Sequence, residues 1–232
     1  MTDPVAGEKP PHAVVTGASS GIGAAIVDRL LHEGWRVTGI SRSAPPVAHP
    51  SFTPLALDLS DLSAIRPAVA GLKPGALVHA AGLLRVGGLG ALEPEAGAMM
   101  WRLHVAAAEQ LADALVPEMP DGGRLVLIGS RTASGAAGRS QYAATKAALV
   151  AMARSWAAEL AARQITVNVV APAATETPML LDPARRGVAP RLPPIGRFVQ
   201  PREVAGTVAF LLSRDAGAIT GQQIIICGGS SL

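Results

Sequence analysis

Short runs of consecutive apolar residues alternate along the chain with longer segments in which apolar positions recur at helical spacing. The apolar runs predict seven strands, over residues 13–16, 36–40, 52–57, 76–80, 124–129, 165–170 and 223–227. The periodic segments predict helices within 23–34, 61–72, 95–119, 140–163 and 201–213. Strands that alternate with helices are parallel and are joined by right-handed crossovers, which place helices on both faces of the sheet. We therefore expect an α/β fold with a doubly wound sheet of about seven parallel strands.

The chain has 232 residues, enough for one sizeable α/β domain, and no shift in composition marks a second one. Residues 1–11 contain acidic residues and prolines, and they predict a flexible N-terminal tail. Residues 12–232 then form a single domain. The proline-rich segments 44–50 and 183–194 predict exposed loops.

Composition argues against several classes of protein. Hydrophobic residues make up 49% of the chain and charged residues 16%, as is typical of a globular protein. The net charge is only +3 and no basic block is interleaved with aromatic residues, so we expect no nucleic-acid partner. No apolar stretch is long enough to span a membrane, and the N-terminus does not resemble a signal peptide. The single cysteine and the five histidines, which lack ligand spacing, predict a cytoplasmic protein without a metal site.

The first strand runs directly into a glycine-rich turn, "VVTGASSGIG" (14–23). Where a strand turns into a helix, free backbone N–H groups and the positive end of the helix dipole favour an anion such as a pyrophosphate. A Cβ at Gly17, Gly21 or Gly23 would hold a phosphate off the backbone or push the helix off the strand. Ser19 and Ser20 can add hydroxyl donors, and Ser20 can cap the helix. The turn predicts a Rossmann-like dinucleotide site, with an ordinary glycine-rich turn as the alternative.

The end of the second strand, "GISRS" (39–43), indicates which dinucleotide binds. Proteins that bind NAD place an acidic residue there, which accepts a hydrogen bond from the ribose 2′-hydroxyl. This chain has Arg42 at that place, between Ser41 and Ser43. A guanidinium group suits a 2′-phosphate, with the two serines as further donors. The segment favours NADP(H) over NAD(H), and a solvated loop arginine is the alternative.

Tyr142 is the only tyrosine, and it lies four residues before Lys146 in "SQYAATKAAL" (140–149), so both share one face of a helix. A free phenol titrates near 10, and a nearby ammonium group lowers that pKa, which suits Tyr142 to acid–base chemistry. Ser130 follows the fifth strand at the sheet edge where ligands bind, and its hydroxyl can hydrogen-bond a substrate oxygen. Taken alone, the tyrosine and lysine would be an ordinary surface pair. Together with Ser130 and the glycine run they predict that 12–232 is a dinucleotide-binding catalytic domain.

From His12 to its end the chain resembles the short-chain dehydrogenase/reductase family. The resemblance rests on "TGASSGIG" (16–23), "AAG" (80–82), Ser130, Tyr142 with Lys146, "VNVVAP" (167–172) followed by Thr177, "PREVA" (201–205) and "ITGQQIIICGG" (219–229). It implies an oxidoreductase that interconverts an alcohol and a ketone or aldehyde. In that family's chemistry Ser130 would polarise the substrate oxygen and Tyr142 would exchange its proton.

The same resemblance implies which residues bind the coenzyme. Asp58 would accept from the adenine amino group, Lys146 would also bind the nicotinamide ribose, and Thr177 would bind the carboxamide. The full set comprises Gly17, Ser19, Ser20, Gly21, Ile22, Gly23, Ser41, Arg42, Ser43, Asp58, Leu59, Ala80, Ala81, Gly82, Tyr142, Lys146, Pro172, Ala173, Thr175 and Thr177.

Three positions depart from the family pattern. His79 and Ala80 replace both amides of the usual Asn-Asn-Ala-Gly, and Ala173 replaces the glycine of a Pro-Gly pair. His104 stands where the family commonly has an asparagine whose backbone carbonyl supports a relay water. We take His104 as a fourth candidate catalytic residue, because an imidazole can hold or replace that water. The alternative is a histidine satisfied by a backbone carbonyl at a packing face, and we expect a structural role for His79.

The substrate end is less well specified by the sequence. Residues 179–194 would form a short lid whose Arg185, Arg186 and Arg191 could attract an anionic substrate or be solvated. The segment "AAGLLRVG" (80–87) is similar to dihydroxybenzoate-forming dihydrodiol dehydrogenases, so an NAD-dependent dehydrogenase of a cyclic diol is one alternative. A nucleotide-binding regulatory subunit without turnover is another. Small residues in helices 95–116 and 141–162 permit close helix packing, and the family resemblance implies that these helices form a homodimer seam within a homotetramer. The alternative is that they are buried inside the monomer.

Overall fold

The sheet contains the seven strands that the sequence predicts. The computed structural model describes residues 10–45, 47–182 and 191–232. The strands are β1 His12–Thr16, β2 Arg36–Ser41, β3 Phe52–Ala56, β4 Ala76–His79, β5 Arg124–Ile128, β6 Thr166–Pro172 and β7 Gln223–Ile226. They pair in parallel in the order β3-β2-β1-β4-β5-β6-β7. The order reverses between β1 and β4, which is the switch point where open α/β sheets bind ligands. The doubly wound sheet is confirmed.

The α-helices of the described residues lie within the predicted segments or extend them by a turn or less. They are α1 Gly21–His32, α2 Leu62–Val69, α3 Pro94–Trp101, α4 Ala107–Leu115, α5 Ser140–Leu160 and α6 Pro201–Leu212. Short 3₁₀ turns cover Val116–Glu118, Arg131–Ser134, Ala161–Arg163, Pro178–Leu181 and Arg214–Ala216.

The long helix predicted over 95–119 is interrupted. A π-helical segment, Arg102–Ala106, separates α3 from α4, and the N–H of Ala107 bonds to the carbonyl of Arg102, five residues back. The wider turn carries His104, whose side chain is fully buried. Short π segments of this kind are frequent at functional sites, and apolar periodicity alone does not reveal them.

Apolar layers cover both faces of the sheet. On one face, α1 and α6 pack through residues such as Ile26, Leu30 and Val208. On the other face, α2, α4 and α5 contribute residues such as Leu111 and Leu149. The buried core consists mainly of aliphatic side chains, in keeping with an aromatic content of only 3%. Helices on both faces leave only the strand ends for a ligand.

Some predicted segments fall partly outside the described residues. Of the predicted tail, residues 1–9 lie outside them, while the carbonyl of Pro11 accepts a 2.8 Å hydrogen bond from the N–H of Arg36. Pro46 in one predicted loop and residues 183–190 in the other also lie outside them. No helix within the described ranges combines the length and the hydropathy needed to cross a bilayer.

Candidate active site

A cleft of about 790 Å³ opens where β1, β4, β5 and β6 end. Its lining gathers most of the candidate site residues from distant parts of the chain. These are Gly17, Ser20, Gly21, Ile22, Gly23, Ala80, Ala81, Gly82, His104, Ser130, Tyr142, Lys146, Pro172, Ala173, Thr175 and Thr177. The remaining candidates, Ser19, Ser41, Arg42, Ser43, Asp58 and Leu59, lie outside this lining.

The glycine-rich turn needs its glycines for steric reasons. Gly17 and Gly21 have φ angles of +69° and +57°, which side-chain-bearing residues rarely adopt. A Cβ on Gly23 would lie 2.1 Å from the carbonyl oxygen of Gly17, so the first turn of α1 could not pack against β1. Ser20 is the N-cap residue of α1, but its side chain makes no capping hydrogen bond. The expected cap is therefore absent, and helix α1 starts with its first N–H groups beside the cleft.

The end of β2 is polar and lies beyond the cleft. Ser41 is buried and donates a 2.7 Å hydrogen bond to the carbonyl of Ser43, whereas the side chain of Arg42 is exposed. Asp58 accepts hydrogen bonds from both the N–H and the hydroxyl of Ser60, at 2.9 and 2.8 Å. These bonds lower the pKa of Asp58 most, and the nearby Arg42 lowers it further. Arg42 and Asp58 are thus neighbours at one edge of the sheet.

Thr16, the last residue of β1, fixes the turn that follows β4. Its hydroxyl oxygen accepts hydrogen bonds from the N–H groups of Ala80 and Ala81, at 3.0 and 2.9 Å. The Thr16 proton then goes to Nδ1 of His79, 3.1 Å away. Nε2 of His79 donates to the carbonyl of Leu103 at 3.1 Å. His79 is therefore a neutral imidazole with its proton on Nε2, and its position favours a structural role.

His104 connects the cleft wall to the helix that carries Tyr142. Its Nε2 accepts a 3.0 Å hydrogen bond from the N–H of Leu83. The hydroxyl of Thr145 donates to the carbonyl of Tyr142 at 2.8 Å, so it accepts from Nδ1 of His104, also at 2.8 Å. The proton of His104 therefore sits on Nδ1, opposite to the tautomer of His79. Because both nitrogens have partners within the protein, this geometry favours a packing role over a place in the proton path.

Both histidines stay neutral for the same physical reasons. Burial is the main effect that lowers the pKa of His79, to about 4, with a smaller contribution from Lys146. Burial also holds the pKa of His104 well below its usual value, and the positive charge of Lys146 acts in the same direction. A second proton on His104 would break the hydrogen bond from the N–H of Leu83, and one on His79 would break the hydrogen bond from the Thr16 hydroxyl.

Lys146 lies under the ring of Tyr142, with its Nζ 5.7 Å from the ring centroid. The Lys146 side chain is buried and donates a 2.9 Å hydrogen bond to the carbonyl of Ile128. Burial lowers the pKa of Lys146 to about 7, so charged and neutral forms are both populated near neutral pH. The ring of His104 meets Tyr142 edge-on, with centroids 5.6 Å apart. Tyr142 thus packs between the edge of the His104 ring and Lys146, whose charge depends on the pH.

Ser130 faces the same cleft from the end of β5. It is buried, and its hydroxyl lies 2.9 Å from that of Thr132. Its Oγ also accepts a hydrogen bond from the N–H of Thr132 at 3.2 Å. These contacts fix the Ser130 hydroxyl at the lining that it shares with Tyr142 and Lys146.

The segment after β6 closes the cleft over the glycine-rich turn. The hydroxyl of Thr175 bonds to the carbonyl of Ala173 at 3.0 Å, and that of Thr177 bonds to the carbonyl of Thr175 at 3.3 Å. A Cβ on Gly21 would meet the Thr177 methyl group at 3.2 Å, so these two segments are in close contact. Among the described non-glycine residues only Gln164 has a positive φ, so alanine at position 173 carries no backbone strain.

The lining also contains residues that the sequence did not single out. They are chiefly Leu83, Leu84, Arg131, Thr132, Arg139, Met179, Leu180, Leu192, Ser230 and Leu232. Arg131 and Arg139 are close in sequence to Ser130 and Tyr142, and that proximity was the one available signal. Of the arginines expected in a lid, Arg191 lines the cleft, and Arg185 and Arg186 lie outside the described residues. In the described part of the chain no three His, Cys, Asp or Glu side chains group as metal ligands would.

The chain is similar to known proteins along almost its whole length. A sequence model described as enoyl-(acyl carrier protein) reductase matches residues 17–231. The chain is 34% identical over 234 residues to a 3-oxoacyl-[acyl-carrier-protein] reductase of Salmonella typhimurium, covering 94% of this chain and 96% of that protein. It is 33% identical over 238 residues to the 2,3-dihydro-2,3-dihydroxybenzoate dehydrogenase of Escherichia coli, with the same coverage.

Solved structures also match almost the whole chain. A short-chain dehydrogenase family protein from Francisella tularensis superposes with a TM-score of 0.88 at 26% identity, covering 96% of this chain and 99% of that one. A short-chain dehydrogenase from Burkholderia cenocepacia, solved in complex with NADP, gives 0.85 at 32% identity, with coverages of 96% and 98%.

Proposed function

The chain belongs to the short-chain dehydrogenase/reductase family, and from that premise we propose that it is an NADP(H)-dependent oxidoreductase that interconverts an alcohol and a ketone or aldehyde. One observation carries the proposal. Ser130, Tyr142 and Lys146 line the same cleft as the Gly17–Gly23 turn, so acid–base groups and an anion-binding turn share one space.

The residues present fit a dinucleotide. Without side chains at Gly17, Gly21 and Gly23 the turn packs closely against its neighbours and lines the cleft at the N-terminus of α1, where backbone N–H groups favour a phosphate. Gly82 lines the same cleft and packs closely against His104, because a Cβ there would meet Nε2 of His104 at 3.1 Å. The glycine-rich turn would hold the pyrophosphate and Ala81 with Gly82 would line the nicotinamide path, with Lys146 and Thr177 as further contacts. A bound nicotinamide coenzyme supplies or accepts the hydride.

The protein's own residues supply the proton and the orientation. Ser130 donates a hydrogen bond to the substrate oxygen and fixes it beside Tyr142. Tyr142 Oη gives its proton to that oxygen during reduction and takes it back during oxidation. The charged form of Lys146 stabilises the phenolate of Tyr142. Because burial holds the pKa of Lys146 at about 7, this support weakens as the pH rises through neutrality in the coenzyme-free protein.

Arg42 supports the preference for NADP(H). No acidic residue occupies the end of β2, and the exposed guanidinium group of Arg42 can form a charge-assisted pair with a 2′-phosphate. A relative of known structure was solved with NADP, which is in keeping with this choice.

Initial rates with NADPH and NADH, over a panel of ketones and aldehydes, test the proposal. We expect the wild-type protein to prefer NADPH. Arg42→Ala should lower kcat/KM for NADPH by about 10- to 100-fold and leave kcat/KM for NADH unchanged. Arg214→Ala is the matched control, since Arg214 is exposed on a 3₁₀ turn and lies outside the cleft lining. Equal use of both coenzymes, unaffected by Arg42→Ala, would contradict the NADP(H) assignment.

Two other functions remain as competing outcomes of that experiment. The similarity to the dihydrodiol dehydrogenase of Escherichia coli favours oxidation of a cyclic diol with NAD, which initial rates with cyclic diols and the oxidised coenzymes would detect. A regulatory subunit would bind a coenzyme and turn over nothing. Turnover that depends on Tyr142 excludes the regulatory subunit.

The proposal includes a cytoplasmic homodimer or homotetramer. Helix α5 exposes a row of small side chains at Ala144, Ala147, Ala151 and Ala158, which permits close packing of a second copy. Light scattering on the purified protein should give twice or four times the mass of the chain, and Ala151→Arg should lower it. A monomeric wild-type protein would overturn this part of the proposal.

A further inference from the structure

The cleft has two halves with different charge. The coenzyme half consists of the lining residues of segments 17–23 and 80–82, which carry no charged side chain. The substrate half consists of the lining residues of segments 131–139, 178–180, 191–194 and 229–232. It contributes Arg131, Arg139 and Arg191, and the described lining of the whole cleft contains no Asp or Glu side chain. Arginine side chains remain charged at all relevant pH values, so the substrate half is cationic.

Arg131 and Arg191 are not paired with a described carboxylate, unlike a nearby arginine. Arg85, which lies outside the lining, faces Asp182 at 3.6 Å. Arg131 instead donates from Nη1 to the carbonyl of Ser230 at 3.4 Å, which is a long bond to an uncharged acceptor. Within the described ranges, neither Arg131 nor Arg191 has a side-chain carboxylate within salt-bridge distance.

The arginines flank the groups to which we assign the chemistry. Arg131 directly follows Ser130, and Arg139 is the N-cap residue of α5, three residues before Tyr142. Both arginines line the cleft outside the glycine-rich turn, where α1 already provides a dipole for phosphates. The coenzyme phosphates do not account for these two arginines.

The rest of the substrate half is apolar. Its side chains include Met179, Leu180, Leu192 and Leu232. We infer that the substrate is an organic carboxylate with an apolar body, whose carboxylate pairs with Arg131 and Arg139 while its carbonyl or alcohol group reaches Ser130 and Tyr142. This inference rests on the proposed function, because it names the substrate class of the same site. A planar guanidinium group binds a carboxylate through two parallel hydrogen bonds, and lysine or a neutral donor cannot do the same.

Matched pairs of oxo acids and their methyl esters test the inference, because each pair shares one carbonyl and differs in one charge. Aliphatic, aryl and cyclic pairs, such as 4-oxo-4-phenylbutanoate and its methyl ester, cover different shapes of apolar body. We expect kcat/KM for the acid to exceed that for the ester by about 10- to 100-fold in the pair that fits best. Arg131→Ala and Arg139→Ala should each remove most of that preference, mainly through KM, with little change for the ester. Arg131→Lys should restore part of it.

Arg214→Ala is the control for net charge and should keep the preference of wild type. Equal kcat/KM for acid and ester in every pair would overturn the inference and leave the proposed function intact. So would an equal loss for acid and ester in the arginine variants.

A binding measurement separates this inference from the proposed function. Calorimetry should detect benzoate binding to the protein saturated with NADP, at least 10-fold tighter than benzamide, and this difference should be lost in Arg131→Ala. Benzoate binding without turnover of any compound would keep the carboxylate site and overturn the proposed oxidoreductase. Turnover without any preference for the anion in binding or rate would keep the proposed oxidoreductase and overturn the carboxylate site.

Discussion

The coenzyme half of the cleft is lined mainly by backbone, and the substrate half is lined mainly by side chains. In the first, Gly17, Gly21 and Gly23 leave backbone and space, and two neutral histidines brace the wall behind it. In the second, side chains such as Arg131 and Leu192 project from turns and loops. The coenzyme half therefore depends on the absence of side chains, and the substrate half depends on the side chains that are present. Substitutions in the first should therefore affect every substrate, and substitutions in the second should change which substrate is preferred.

Tyr142 lies where the halves meet, and its removal should have the largest effect. Tyr142→Phe keeps the ring beside Lys146 and removes only the hydroxyl group, which in the proposed mechanism exchanges a proton with the substrate. We expect turnover to fall by about 10²- to 10⁴-fold for every substrate, with unchanged coenzyme affinity by calorimetry. A loss confined to some substrates would show that the residue belongs to the substrate half alone.

The histidine brace predicts acid sensitivity of the coenzyme half. The folded-state pKa of His79 is about 4, below its usual 6.5, so between these values the unfolded chain binds a proton that the folded protein does not. The free energy of unfolding should therefore fall as the pH drops from 6.5 to 4, by about 3 kcal/mol from this residue. His79→Asn should reduce that slope in urea unfolding, whereas replacing the exposed His32 by asparagine should not. Equal slopes in all three proteins would argue against a neutral brace.

Two glycines in helices that pack together allow a matched test of the glycine-rich turn. Gly23→Ala places a Cβ 2.1 Å from the carbonyl oxygen of Gly17, and we expect a loss of about 1–3 kcal/mol in stability together with weaker coenzyme binding. Gly206→Ala in α6 places its Cβ 3.7 Å from Nη1 of Arg29, an ordinary van der Waals contact, and we expect a gain of up to about 1 kcal/mol in stability. Thermal unfolding of both variants measures the change in stability, and coenzyme titration measures the change in binding. A neutral Gly23→Ala would mean that the turn is not sterically constrained.

The two nitrogens of His104 can be tested separately. His104→Gln keeps an acceptor near Nε2 for the N–H of Leu83, and His104→Asn keeps a donor near Nδ1 for Thr145. We expect coenzyme affinity to fall by about 10-fold in the asparagine variant and by less in the glutamine variant, because only the first frees the Leu83 N–H. The pH–rate profile above pH 6 should match that of wild type in both. Loss of one ionisation from both profiles would instead place His104 in the proton path.

A change in the substrate half alone should have the smallest effect. Leu192 is 57% exposed, so Leu192→Ala should raise KM for an apolar substrate only about 2- to 5-fold. The dissociation constant of the coenzyme should not change. A parallel rise in that constant would break the division of the cleft into two halves.

The alternation of apolar runs and periodic segments determined the sheet, because parallel strands covered on both faces leave a distinct one-dimensional pattern. The spacing of Gly17 to Gly23, and of Tyr142 to Lys146, predicted in the same way two motifs that line one cleft of the structure. Each of these motifs lies within one strand-to-helix turn or one turn of a helix. Its geometry therefore follows from residues that are close together in the sequence.

Only the tertiary structure decided the contacts between segments that are far apart in the chain. The opposite tautomers of His79 and His104 follow from bonds to Thr16, Leu103 and Thr145, and a neutral imidazole offers no sign in the sequence of which nitrogen holds the proton. The π segment and the joining of Arg131 with the C-terminal residues have the same origin. Hydrogen bonding and charge depend on distance in space, and spacing along the chain sets that distance only within a single element.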